Sequence, residues 1–335
     1  MHTLNNIKNQ IAKRIPSVIE KLGYLFNPFI LNFITENNRV TVFYFHGIYS
    51  SDKERMLNHV DPQNNVTINE FKDFVDYFLE HNYIFIKPED LLSDLPKDKI
   101  YGIISFDDGY FNNLLAIDLL NKYKIPAVVF VTTKNIEEHS SYWWDIIYKY
   151  RKREDKQILD IKKEQGYLKK FKYSYINEYI KKNFGMKSMC PWSEIDRPLT
   201  IDELKILSYN PLISIGNHTH NHAILINYNE DEIREELHQS NKIIINITRK
   251  VPVSHAFPNG LFNDLVLKVA KEVGFRMVFT TVQKKNILPL KSSNFLCLDR
   301  LMVRDPNIKN YGSFYRMGYN PLTLYSEIKS KISFL

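Results

Sequence analysis

The run Tyr101-Gly102-Ile103-Ile104-Ser105-Phe106 ends abruptly on two adjacent carboxylates and a glycine, Asp107-Asp108-Gly109. An apolar run of this kind describes a buried strand. Two acids at its carboxyl end are costly to desolvate unless something pairs with them. The chain is thereby constrained to a fold whose strand ends meet at a shared site, where such acids hold a metal or move a proton. An Asx-type turn that closes the strand is the plainer alternative. A second cluster bears on the choice, because His218-Thr219-His220-Asn221-His222 also follows an apolar run, Leu212-Ile213-Ser214-Ile215-Gly216. A helical turn there puts the His218 and His222 imidazoles on one face, with His220 pointing roughly the other way. Neutral imidazoles and a carboxylate form the usual catalytic zinc set, with one position left open. A solvated polar turn is the alternative.

Strand-like runs alternate with helical patterns along the rest of the chain. Strands are expected over 40–46, 83–86, 101–106, 126–131, 212–215, 253–257, 276–280 and 295–303. Helices are expected over 68–81, 111–123, 230–247 and 262–273, with Thr67 or Asn69 capping the first. This alternation predicts an α/β protein with a parallel sheet and crossover helices. Its spacing is compatible with an irregular (β/α) barrel. There Asp107, His218 and Pro258 converge at the carboxyl ends of strands, however far apart they lie in sequence.

The segments Ser105-Phe106-Asp107-Asp108-Gly109 and His218-Thr219-x-x-His222 resemble the first two motifs of the polysaccharide deacetylases, the NodB-homology group or carbohydrate esterase family 4. Ala256-Phe257-Pro258-Asn259-Gly260 is similar to the family segment that lines the active-site groove. The resemblance spans roughly residues 40–305. It implies an irregular barrel of seven or eight strands with a mostly helical insertion. It also implies Asp107 as catalytic base, Asp108, His218 and His222 as ligands of one divalent metal, Zn2+ by preference, and a substrate-binding role for Pro258, Asn259 and Gly260. The late motif that carries the general-acid histidine in many members is missing, since no histidine follows His255. A circularly permuted subgroup, similar to the biofilm poly-N-acetylglucosamine deacetylases, places this histidine early. Val40-Thr41-Val42-Phe43-Tyr44-Phe45-His46 matches that arrangement and nominates His46, which otherwise reads as a histidine closing an apolar strand. The arginine that orients the base in many members is replaced near Ser254 and His255. Arg300, in a segment resembling one of the permuted subgroup, is available to pair with Asp107 or, alternatively, to form a surface ion pair with Asp299 or Asp305.

The expected organisation is an N-terminal helical segment over 1–39, a barrel built from 40–138 and 211–305, a helical insertion or lid over 139–210, and a C-terminal extension over 306–335. The insertion opens on Tyr142-Trp143-Trp144-Asp145 and reads as two or three helices. From Lys149 to Lys187 it carries thirteen basic residues against five acidic ones, enough to account for the chain's net +7. It is either a solvated cap or a lid that offers Tyr142, Trp143 and Trp144 to sugar rings and its basic groups to an acidic glycan. Nucleic acid fits poorly, because the basic residues form no recognised binding motif. Cys190 and Cys297 form neither a disulfide framework nor a zinc spacing. No secretory signal is evident, and residues 22–34 are too short and interrupted to span a bilayer. They read as a packed helix or as a foot on a membrane surface. A cytoplasmic enzyme is expected, with association to a membrane surface as the alternative reading of residues 22–34.

The chemistry implied is hydrolysis of the N-acetyl group of an amino sugar in a polysaccharide, a glycolipid or a lipid- or nucleotide-linked precursor. A deformylase of a lipid-linked aminosugar, an inactive carbohydrate-binding relative and a metal-dependent phosphoesterase are the alternatives. The two-metal form of the last needs more ligands than these motifs supply.

Overall fold

A computed structural model of the protein describes residues 36–63, 66–290, 295–303 and 308–318, with Asn27, Phe29 and Leu31 besides. The apolar stretch 22–34, and with it the choice between packing and membrane contact, otherwise lies outside the described residues. No described helix is long and apolar enough to cross a membrane.

The strands are β1 (Arg39–Phe45), a small ribbon of β2 (Ile48–Tyr49) and β3 (Val66–Thr67), β4 (Tyr83–Phe85), β5 (Ile100–Phe106), β6 (Ala127–Val131), β7 (Ile213–Asn217), β8 (Ser254–Ala256), β9 (Met277–Phe279), β10 (Asn286–Ile287), β11 (Leu296–Leu298) and β12 (Arg300–Met302). Parallel pairing runs β1-β5-β6-β7-β8-β9-β11, with β4 beside β5 and the short β10 antiparallel to β1. The strand expected over 295–303 divides at Asp299, whose N–H donates to Asn286 Oδ1 at 2.9 Å while its carbonyl accepts from Asn286 Nδ2 at 2.9 Å. β11 pairs with β9, and β12 with β1. One short segment thus draws the two sheet edges together, and the barrel is nearly closed.

The strands read as continuous apolar runs because both faces are covered. Val40, Val42, Ile103, Val128, Phe130, Met277 and Phe279 form the inner cluster. The residues between them, Phe43, Phe45, Ile104, Phe106 and Val129, pack outward against helices. After α1 (Asp52–Arg55) comes α2 (Ile68–Glu80), started by a capping box in which Thr67 and Glu70 satisfy each other's backbone N–H groups. Phe71, Phe74, Val75 and Phe78 fall on one face of α2 and are all buried.

Helices α3 (Asn113–Tyr123) and α4 (Thr133–Glu138) flank β6. Four helices follow where two or three were expected: α5 (Trp143–Arg153), α6 (Ile158–Leu168), α7 (Tyr173–Phe184) and α8 (Ile201–Ser208). The signal for α8 is the Thr200-x-x-Glu203 capping box. α5, α6 and α7 share one apolar cluster with Tyr49, Val60 and Tyr110 of the barrel side, while Leu204 and Leu207 of α8 join the outer cluster of the barrel. α9 (Glu230–Thr248), α10 (Asp264–Glu272) and α11 (Ile308–Met317) complete the described helices.

Phe74 is 1% exposed and its ring centroid lies 4.9 Å from Phe43, 5.2 Å from Phe45 and 4.8 Å from Phe78. Phe74→Ala is expected to destabilise the fold by about 3–5 kcal/mol. Urea denaturation checks this, and a loss under about 1 kcal/mol would contradict the packing described.

Candidate active site and metal centre

β5 ends at Phe106, and the Asp107 N–H continues its ladder by donating to Phe45 O at 2.9 Å. The backbone then turns left-handed at both Asp108 (φ 73°) and Gly109 (φ 83°). A Cβ at Gly109 would sit 3.1 Å from Val131 Cγ1, so the close approach and the positive φ both call for glycine. The reversal sends the two neighbouring carboxylates to different partners. Asp107 meets Arg300 in a bidentate pair, Nη1 to Oδ1 at 2.7 Å and Nη2 to Oδ2 at 2.8 Å. Of the two partnerships open to Arg300, this is the one it makes, with the side chain wholly buried, Nε donating to Thr280 O at 2.9 Å and the guanidinium 4.4 Å from the Tyr44 ring centre. Burial acts to raise the Asp107 carboxyl, but Arg300, helped by His218 and His46, brings it down to about 2.

Asp108 faces three imidazoles. Its Oδ1 lies 3.4 Å from Nε2 of His218 and 3.4 Å from Nε2 of His222, and its Oδ2 lies 4.0 Å from His46 Nε2. The donor atoms of Asp108, His218 and His222 all lie within 4.8 Å of one another. The expected helical turn over 218–222 is absent. Thr219 (φ 67°) and His222 (φ 48°) are left-handed, and side chains take up the backbone groups instead. Asn217 Oδ1 accepts from Thr219 N–H at 2.7 Å, and Thr219 Oγ1 accepts from Ala223 N–H at 2.8 Å. Glu236 accepts from the N–H groups of His220 and Asn221 at 3.2 and 3.1 Å. The loop still brings the two outer imidazoles together, while His220 turns away to Thr133 and Gln239.

The residues fit a divalent cation. Asp108 is 1% exposed, yet neither of its carboxylate oxygens has a hydrogen-bond partner among the described residues. Buried carboxylate oxygens are seldom left so unless something else satisfies them. His218 Nδ1 lies 2.7 Å from Ala256 O, which fixes it as the N–H and leaves Nε2 a lone pair facing Asp108. Burial pulls His218 down, but Asp108 and Asp107 outweigh it and hold the imidazole above its ordinary value, the mark of a place that favours positive charge. Burial drives His222 down to about 3, which keeps it neutral and able to ligate.

His46, Asp107, His218 and His222 line a cleft of about 1030 Å³. Trp143 and Trp144 line it but are only 6% and 5% exposed, and Tyr142, grouped with them as a sugar contact from the sequence, is fully buried with its hydroxyl donating to Asp108 O at 2.9 Å. Of Pro258, Asn259 and Gly260, Asn259 lines the cleft; Gly260 spends its N–H on Phe257 O at 2.7 Å, forming the turn that presents Asn259. Sequence reasoning missed the opposite wall, where Lys162, Gln165, Gly166 and Lys169 of α6 and the residue after it face the cleft. The available signal was their i, i+3, i+4, i+7 spacing on a helix whose other face holds Ile161 and Leu168.

The sequence profile described as polysaccharide deacetylase matches residues 94–278. The chain belongs to the polysaccharide deacetylase family and so to the hydrolases that act on N-acetyl amides. Poly-beta-1,6-N-acetyl-D-glucosamine N-deacetylases of Staphylococcus aureus strains, MSSA476 among them, are 23% identical over 273 residues, covering 77% of this chain and 72% of theirs. Among solved structures, the Streptococcus pyogenes deacetylase PplD in complex with acetate is 18% identical and covers 84% of this chain and 99% of its own, with a TM-score of 0.57. IcaB from Ammonifex degensii is 15% identical and covers 83% and 97%, with a TM-score of 0.53. These likenesses show a common barrel fold.

Arg300→Met would leave the Asp107 carboxylate buried and alone, a loss expected to cost about 3–5 kcal/mol at pH 7. In the wild type Asp107 lies below its unfolded value, so its share of stability is present above about pH 4 and fades as pH falls toward 2. Without Arg300 the folded carboxyl shifts upward, so the variant's deficit is greatest at neutral pH and narrows in acid. Urea denaturation at pH 7 and pH 4 measures this, and a deficit that does not change with pH would contradict it.

Proposed function

We propose that this protein is a metal-dependent N-deacetylase of amino sugars in a β-1,6-linked poly-N-acetylglucosamine or a closely similar glycan. The observation that carries the reading is the convergence of Asp108, His218 and His222 within 4.8 Å beside the Asp107–Arg300 pair, with Asp107, His218 and His222 lining an open cleft. The names of the staphylococcal relatives supply the substrate.

Asp108, His218 and His222 would hold the cation, zinc being favoured by two imidazoles and a carboxylate. When bound, the cation supplies Lewis acidity that activates water and polarises the amide carbonyl. Asp107 is the base that takes a proton from the attacking water. Arg300 holds it ionised and fixes its direction, which matters more here than high basicity. His46, on the Oδ2 side of Asp108, gives a proton to the departing amine. Water adds to the acyl carbon and the C–N bond breaks, so the products are acetate and a free amino sugar. Asn259 and the polar wall of the cleft hold the sugar, with Pro258 and Gly260 shaping the turn that presents Asn259.

Three measurements test the reading. Elemental analysis should find one metal per chain in the wild type and none in His222→Ala. Asp107→Asn should keep the metal and lose turnover by roughly 10²-fold or more, as should His46→Ala on an acetylated oligomer. Release of acetate rather than formate separates the deacetylase from the deformylase alternative. A metal-free wild type that still hydrolyses the oligomer would refute the metal role, and full activity in Asp107→Asn would refute the base.

A further inference from the structure

We infer that the helical insertion is part of the metal centre, with Trp144 acting as a positioning residue for the His222 imidazole. This rests on the metal reading above. A ligating histidine ordinarily hands its second ring N–H to an acceptor that fixes the ring's orientation. His218 does so through Ala256 O. His222 does not, since its buried Nδ1 has no hydrogen-bond partner among the described residues. Ring packing takes that place. The Trp144 ring centre lies 4.4 Å from that of His222 at 52°, and the His218 ring stands 5.0 Å away on edge.

Trp144 is itself held at several points. Its Nε1–H donates to Tyr110 Oη at 2.9 Å, Tyr110 Oη donates to Asp145 Oδ2 at 2.7 Å, and Asp145 Oδ1 accepts from Asp61 N–H at 2.7 Å. Gln165 Nε2 of α6 donates to Trp144 O at 2.9 Å. Tyr142 stacks on Trp144 at 4.9 Å and 20° while its hydroxyl holds the Asp108 carbonyl, so the start of α5 touches two of the three ligating residues. Further along α5, Lys149 Nζ meets Asp196 Oδ2 at 2.7 Å with both side chains wholly buried, which ties the helix to the rest of the insertion. Such a chain gives the indole one position. His222, on a loop without helical support, takes its orientation from that indole. Removing the ring opens space beside the imidazole and lets Nε2 swing away from Asp108.

The test uses the full-length protein stripped of metal and reloaded with Co2+, read by visible absorption and by competition with a chelator. Trp144→Leu should raise the Co2+ Kd on the order of tenfold or more and alter the absorption bands. Trp144→Phe, which keeps a ring against His222, should recover most of the affinity. Tyr110→Phe, which releases the indole N–H, should give a smaller loss and a visible spectral change. A folded Trp144→Leu variant with wild-type affinity and spectrum would overturn the inference, as would a Trp144→Phe loss equal to that of Trp144→Leu. If Trp144→Leu does not fold, Tyr110→Phe decides, and an unchanged affinity and spectrum there would overturn it. A wild type that binds no Co2+ is a different result, because it overturns the metal reading itself and this inference with it.

Discussion

The buried pair between Arg300 and Asp107 is where barrel closure and site chemistry coincide. Asp107 follows β5, Arg300 lies on β12, and both strands flank β1. Thr280, which accepts from the guanidinium, follows β9, which lies between β8 and β11 toward the other end of the sheet. Tyr44, over which the guanidinium lies, belongs to β1. Each charge alone would cost several kcal/mol to bury, and only a good bidentate geometry offsets that. The pair therefore forms only when four strands stand in register. A closure one residue out of step would turn Arg300 to the opposite face and leave both charges without partners.

Around that pair the backbone is repeatedly forced from its easy conformations. Asp108, Thr219, His222 and Asn259 all have positive φ and all belong to the two strand-end segments or the turn beside them. Each costs on the order of 1–3 kcal/mol and persists only where surrounding contacts over-determine it. The contacts are visible: Tyr142 on the Asp108 carbonyl, Asn217 on Thr219, Glu236 on the loop between the histidines. The shape of this site thus depends on residues outside the Asp108, His218 and His222 donor set.

Much of the barrel was legible because buried parallel strands and amphipathic crossover helices leave strong periodicities, as in 101–106 and 68–81. Asp108, His218 and His222 were legible as a group because carboxylates and imidazoles at strand ends are rarely neutral to function. Less could be read where partners come from distant segments. Arg300 had two possible partnerships in the sequence, and only the closure of β12 onto β1 selects Asp107. The helical turn predicted for 218–222 failed because spacing does not register that Asn217, Thr219 and Glu236 take up the loop's backbone groups. Tyr142, Trp143 and Trp144 read alike as sugar platforms in the sequence, and only the tertiary packing separates Tyr142, which is fully buried, from Trp143 and Trp144, which line the cleft. The α6 wall was missed because its lysines were counted as a charge excess rather than sorted by face.

The way those charges are arranged bears on the substrate. The insertion is strongly basic in sequence, which by itself suggests an acidic glycan. In the fold many of its cations are already matched: Arg151 with Glu154 and Glu164, Lys172 with Glu232, Lys162 with Asp61. The cleft wall itself alternates in sign, with Lys162 next to Asp61 and Arg55 next to Glu70. A polyanion would gain from the cations and lose to the carboxylates beside them. A neutral, hydroxyl-rich chain accepts from one and donates to the other. The Arg55–Glu70 pair is partly exposed and of a kind worth only about 0–1 kcal/mol, so rearranging it around hydroxyl groups costs little, whereas the Asp61 carboxylate is buried and also held by Gln165. Trp143 and Trp144 line the cleft with little exposed surface, so its walls present chiefly paired charges and hydrogen-bonding groups, an array that suits a neutral polar ligand better than a polyanion.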